Sequence, residues 1–158
     1  MEKRYTAAGL AEILLTPKGP SRTEIIRMIR HYAGVALLMP VGAVNTGTGN
    51  KRLYPRDAPL RAAVLLRLNR LGIPIGVLNE VFARFERYLT TNFDTNDLIK
   101  ICSSMIDPYM FLTVPEDGDS KARKYVIVGE IGQFKELATR PLIAIPLSRY
   151  LRMLGERP

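Results

Sequence analysis

The sequence predicts an α+β fold in two parts, a mainly helical N-terminal domain over residues 1–90 and a small α+β domain over 91–158. Three observations support it. Apolar residues recur at helical spacing between Leu10 and Phe85, runs of strand character dominate after Tyr109, and charge is split unevenly between the parts. Residues 1–90 hold 14 Lys/Arg against 6 Asp/Glu and residues 91–158 hold 9 against 9, so the whole net charge of +8 lies in the first part. A chain of 158 residues with 47% apolar and 24% charged residues has enough core-forming material for one medium domain or two small ones.

Thr6 is placed to cap a first helix over roughly 7–15, with Leu10, Ile13 and Leu14 on one face. Pro17-Lys18-Gly19-Pro20 ends it, because two prolines around a glycine cannot continue a helix. Ser21 followed three residues later by Glu24 is a capping-box pattern, and it opens a second helix over about 21–32 with Ile25, Ile26, Ile29 and Tyr32 as its apolar stripe. Arg22, Arg27 and Arg30 lie on its other faces. Two helices joined by a turn, the second rich in arginine, form a helix-turn-helix pattern whose second helix suits a DNA major groove.

After Leu37-Leu38-Met39-Pro40, the stretch 41–50 holds three glycines and two asparagines and predicts a tight connection between two short strands. The return strand Lys51-Arg52-Leu53-Tyr54 then offers Lys51 and Arg52 to phosphate while Leu53 turns inward, since side chains alternate along a strand. A phosphate-cradling nucleotide loop at Gly47–Lys51 is a poor alternative, because no Ser or Thr follows the lysine. Asp57 is placed to cap a third helix with Pro59 in its first turn and Leu60, Val64, Leu68 and Leu71 buried. Gly72 ends it, and Pro74 opens a fourth helix to about Leu89 with Val77, Leu78, Val81, Phe82 and Phe85 apolar.

These residues resemble the MerR family of bacterial transcription regulators over roughly residues 5–85. The resemblance is carried by Tyr5-Thr6 at the start of the first helix, Arg30-His31-Tyr32 late in the second, and Ala36-Leu37-Leu38-Met39-Pro40, where the family usually has glycine in place of Ala36. It continues in Arg52-Leu53-Tyr54 as a wing ending and in Leu71-Gly72-Ile73. The resemblance implies a winged helix-turn-helix that binds double-stranded DNA as a homodimer, with RNA polymerase among its partners. It implies contacts from Arg22, Arg27, Arg30, His31, Tyr32, Arg52 and Tyr54, to which Lys51 adds electrostatic attraction. Tyr32 also has a core reading and His31 a helix-packing one. The chain departs from the family in a longer connection between its first two helices, in His31 and Ala33, and in lacking an evident long dimerising helix.

In the second part, Thr90-Thr91-Asn92 and an Asp94 cap interrupt the helical pattern before a short helix over 95–106. Residues 109–114, 124–129 and 142–145 read as strands, and 147–154 as a closing helix. This element suits dimerisation or effector binding, and pairing of exposed strand edges is the favoured use. Glu116, Asp117 and Asp119 in the 115–123 loop read as a solvated hairpin tip rather than a cation site.

One histidine and one cysteine make neither a zinc cage nor an internal disulfide, and Cys102 reads as a small buried apolar residue. No nucleophile elbow or Gly-rich fingerprint is present, so neither an enzyme nor a cofactor is expected. Apolar runs fall well short of the roughly 18 residues of a membrane span, and a cytoplasmic, nucleoid-associated location is expected. The expected function is a sequence-specific transcriptional regulator. An architectural, phage or plasmid DNA-binding factor without ligand response is the main alternative, and a protein-interaction or small-molecule-binding module stands outside nucleic-acid biology.

Overall fold

A computed structural model of the chain describes residues 3–42, 51–94, 97–113, 126–130 and 142–155. It is an α+β protein that divides into two compact units, Met1–Asn79 and Glu80–Pro158. The division falls inside one helix, whereas the sequence changes character near residue 90.

Unit 1 begins with β1 (Tyr5–Thr6) and α1 (Ala7–Leu14), whose start is fixed by the Thr6 hydroxyl accepting a hydrogen bond from the Gly9 amide at 3.1 Å. The 16–20 turn leads to α2 (Arg22–Gly34), opened by the complete Ser21/Glu24 capping box. That box holds the Glu24 carboxyl below its ordinary range, chiefly through the Ser21 side-chain hydrogen bond. Leu10, Ala11 and Leu14 of α1 and Ile25, Ile29, Tyr32 and Ala33 of α2 are buried.

The ends of two helices differ in a telling way. α2 closes with the Leu37 amide donating to the Tyr32 carbonyl at 2.9 Å and the Ala36 amide reaching Ala33, a Schellman arrangement that puts Ala36 at φ 60. α3 (Ala58–Arg70) closes with the same two bonds, Ile73 to Leu68 and Gly72 to Asn69, but there Gly72 takes the left-handed position at φ 77. An L side chain in that region crowds its own backbone, so α2 carries a strain that α3 avoids.

β2 (Leu53–Tyr54) pairs antiparallel with β1, and Val41 bridges Leu53 from the other side. α3 is buried on nearly all sides, with only Arg61 and Arg67 interrupting a buried run up to Leu68. Asp57 does not cap it in the expected way. Its carboxylate takes the Arg61 guanidinium at 2.5 Å instead, one turn along. Leu71, expected in the core, is 49% exposed because the helix has ended before it.

α4 (Ile75–Asn92) runs three residues past the expected end. The Thr90 hydroxyl donates to the Glu86 and Arg87 carbonyls and the Asn92 amide to Tyr88, so these polar residues satisfy the last turn rather than breaking it. In unit 2 the next helix, α5 (Leu98–Ser103), is shorter than expected. Its cap is Asp97, not Asp94: the Asp97 carboxylate accepts from the amides of Ile99 at 3.0 Å and Lys100 at 3.3 Å.

β3 (Pro108–Thr113), β4 (Val126–Glu130), β5 (Leu142–Pro146) and α6 (Ser148–Met153) complete unit 2, with strand order β4-β3-β5 and antiparallel pairing throughout. The Ser148 hydroxyl at the start of α6 donates to Asp107, just before β3. The Leu147 amide donates to the Pro108 carbonyl at 2.8 Å, which fixes the parity of the ladder. Pro146 therefore sits where a free-edge amide would be, blunting β5. On β4 the outward carbonyl is that of Val128, and it accepts the Tyr88 hydroxyl at 3.2 Å. Among the described residues, Pro146 thus takes one outward position of β5 and the Tyr88 hydroxyl one outward carbonyl of β4. The 115–123 loop with Glu116, Asp117 and Asp119 lies outside the described residues.

Candidate nucleic-acid interface

The geometry of α2 follows from its apolar spacing. Ile25, Ile29, Tyr32 and Ala33 fall on one side, which puts Thr23, Arg27, Arg30, His31 and Gly34 on the opposite side, and all five are exposed. Arg27, Arg30 and His31 therefore project together from one face. Thr23 belongs to that face as well, one turn before Arg27, and helical spacing alone would have found it.

Arg22 does not join them. Its guanidinium turns to Glu12 of α1 at 2.5 Å, so it ties the two helices together at their surface. With the pair about half exposed, its energetic contribution is small.

The resemblance implies DNA contacts from Tyr32 and Tyr54, but both are core residues, which for Tyr32 is the alternative reading of its position on the apolar stripe. They are 1% and 0% exposed, and neither buried hydroxyl has a hydrogen-bond partner. Tyr32 is internal because it continues the Ile25–Ile29 side of α2. Burial pushes its phenol up to about 12. Tyr54 is internal because the alternation of β2 is opposite to expectation: Leu53 faces outward at 38% exposure and Tyr54 inward.

The Tyr54 phenol is also raised by burial, and the Arg52 and Arg30 charges partly offset the rise. Arg52 stands beside the hydroxyl without completing a hydrogen bond of ordinary geometry. Arg30 of α2 and Arg52 before β2 thus both act electrostatically on the buried Tyr54 phenol. Lys51 is exposed next to Arg52, while residues 43–50 of the expected connection lie outside the described residues.

A further basic residue meets the turn that precedes α2. The Arg70 guanidinium packs over Gly19 so closely that a Cβ there would lie 2.8 Å from it. Sequence spacing did not link these two positions.

All of this lies in unit 1. Residues 1–79 contain 12 Lys/Arg against 4 Asp/Glu, a net +8, and residues 80–158 contain 11 against 11. Among the described residues no group of three His, Cys, Asp or Glu is arranged to hold a metal ion, and no helix is long and apolar enough to cross a membrane. The molecule thus belongs to a broad class, an α+β protein with a basic helical face on one unit. No known family model and no curated protein matches the chain.

Proposed function

We propose that the chain is a sequence-specific, duplex-DNA-binding regulator of transcription that acts as a homodimer. In this reading unit 1 is a winged helix-turn-helix. α2 enters a major groove with Arg27, Arg30 and His31, and the 51–54 segment serves as the wing, with Lys51 and Arg52 on the flanking phosphates. The observation that carries it is the exposed face of Arg27, Arg30 and His31 on α2, with Lys51 and Arg52 in the same unit, the one that bears all of the net charge. Cations gathered on one face release condensed counterions when they meet phosphates, whereas the same cations scattered would not define a site. Tyr32 and Tyr54 support the surface from below, and Arg22 braces α1 against α2.

Titration of a labelled duplex at a series of salt concentrations tests this. Four cations per protomer at Arg27, Arg30, Lys51 and Arg52 predict that log K falls against log salt with a slope of roughly −3 to −4 per protomer. Arg52→Ala is expected to reduce the slope by about one. Absence of binding at low salt would remove the reading altogether.

A further inference from the structure

The outward turn of Leu53 has a counterpart across the strand. The Val41 amide donates to the Leu53 carbonyl at 2.7 Å, and the two residues form a bridge with both side chains exposed, 40% for Val41 and 38% for Leu53. Exposure alternates before Val41 as well: Met39 is 51% exposed while Pro40 is buried. Of the five large apolar residues that unit 1 leaves exposed among the described residues, Val41 and Leu53 share this bridge and Met39 lies two residues before Val41; the others are Leu15 and Leu71. Isolated exposed apolar residues are ordinary, but apolar neighbours kept out of the core by strand parity form a surface of their own.

We infer that Met39, Val41 and Leu53 form an apolar edge that seats against the deoxyribose faces of a DNA groove wall, beside the phosphates held by Lys51 and Arg52. The inference rests on the DNA-binding reading and adds to it a contact that is not electrostatic. Two features point to DNA rather than protein. Lys51 and Arg52 adjoin the edge, and their positive charge complements the phosphates that border a groove. The edge also belongs to the same unit as the basic face of α2, the unit that carries all of the net charge. The sugars of B-form DNA offer C–H surface, and apolar side chains in a groove use it together with thymine methyl groups and base steps. Such a contact contributes to affinity by burying area and leaves the number of released counterions unchanged.

Slope and intercept of the salt dependence separate the two kinds of contact. In full-length protein, Leu53→Ser is expected to lower duplex affinity by about five-fold at every salt concentration with an unaltered slope, the size set by roughly 1 kcal/mol of lost apolar burial. Val41→Thr keeps the shape and the strand preference and is expected to lower it by about two-fold, again at constant slope; the far-ultraviolet spectrum and melting temperature of each variant guard against a folding defect. If wild type binds duplex and both variants bind as wild type, the apolar edge is overturned while the basic face stands. Wild type that binds no duplex overturns both. If instead the variants lose self-association measured without DNA, a second copy of the chain covers the edge and the inference fails.

Discussion

Unit 1 and unit 2 solve opposite problems with their surfaces. Unit 1 keeps 12 cations against 4 anions and directs Arg27, Arg30 and His31 from one helix face, at a cost in self-repulsion. Unit 2 balances 11 against 11 and, among the described residues, sets Pro146 on one edge of its sheet and the Tyr88 hydroxyl on the Val128 carbonyl of the other. Net charge is thus concentrated on one unit and balanced on the other, and the proposed interface lies on the first.

Core truncation should show the contrast most strongly. Phe85 is fully buried and packs edge-on against Phe82 at 5.9 Å, so Phe85→Ala is expected to cost about 3–5 kcal/mol. Cys102, buried in unit 2 with its thiol pushed up to about 12 chiefly by burial, is an internal reporter. Its alkylation in native protein should accelerate by roughly two orders of magnitude or more in that variant. An unchanged alkylation rate would mean that Phe85 does not hold unit 2 closed.

Removing one charge from each unit comes next. Arg27→Ala is expected to weaken binding to a specific duplex by about 1–3 kcal/mol while affecting non-specific duplex less. Lys100→Ala, an exposed cation of unit 2, should leave both within about two-fold, as expected for a position away from the interface. Equal losses for the two variants would erase the functional distinction between the units.

Within unit 1 the two helix ends give a paired test of backbone strain. Ala36→Gly is expected to stabilise by roughly 0.5–1 kcal/mol and Gly72→Ala to destabilise by about 1 kcal/mol, read from denaturant midpoints. Opposite signs at two similar helix ends would locate the effect in the left-handed position; equal signs would refute it.

The smallest effect concerns acid. Because the folded Glu24 carboxyl is held low by the Ser21 hydrogen bonds, the capping box lends stability above the carboxyl's unfolded pKa. That stability is lost as pH falls through the lowered folded value. Glu24→Gln should flatten this limb of the stability–pH curve, and an unchanged curve would show that the box contributes nothing that titrates.

Much of unit 1 was legible because its signals are local. Thr6, Ser21 with Glu24, and Gly72 act on backbone groups within a few residues, so their positions alone announce helix ends. What the sequence concealed depended on partners distant in the chain. β1 and β2 have two residues each, too few to display a period, and only the Tyr5–Tyr54 pairing decides that Tyr54 faces in and Leu53 out. The same reversal moved Tyr54 from the expected site into the core. Asp94 and Asp97 are equally plausible caps by residue type, and only the amides of Ile99 and Lys100 choose between them. Arg22 lost its expected role to Glu12, ten residues earlier, through a packing of α1 on α2 that spacing does not reveal.

In the proposed function, the exposed face of α2 on unit 1 reads duplex DNA. Its most direct test is selection of duplexes from a random-sequence library by the full-length protein at about 150 mM salt, close to physiological ionic strength, with Arg27→Ala in parallel. The account predicts an enriched motif with two-fold symmetry for wild type and a loss of information at particular base positions for the variant. Recovery of all sequences alike, or the same motif from both proteins, would contradict it.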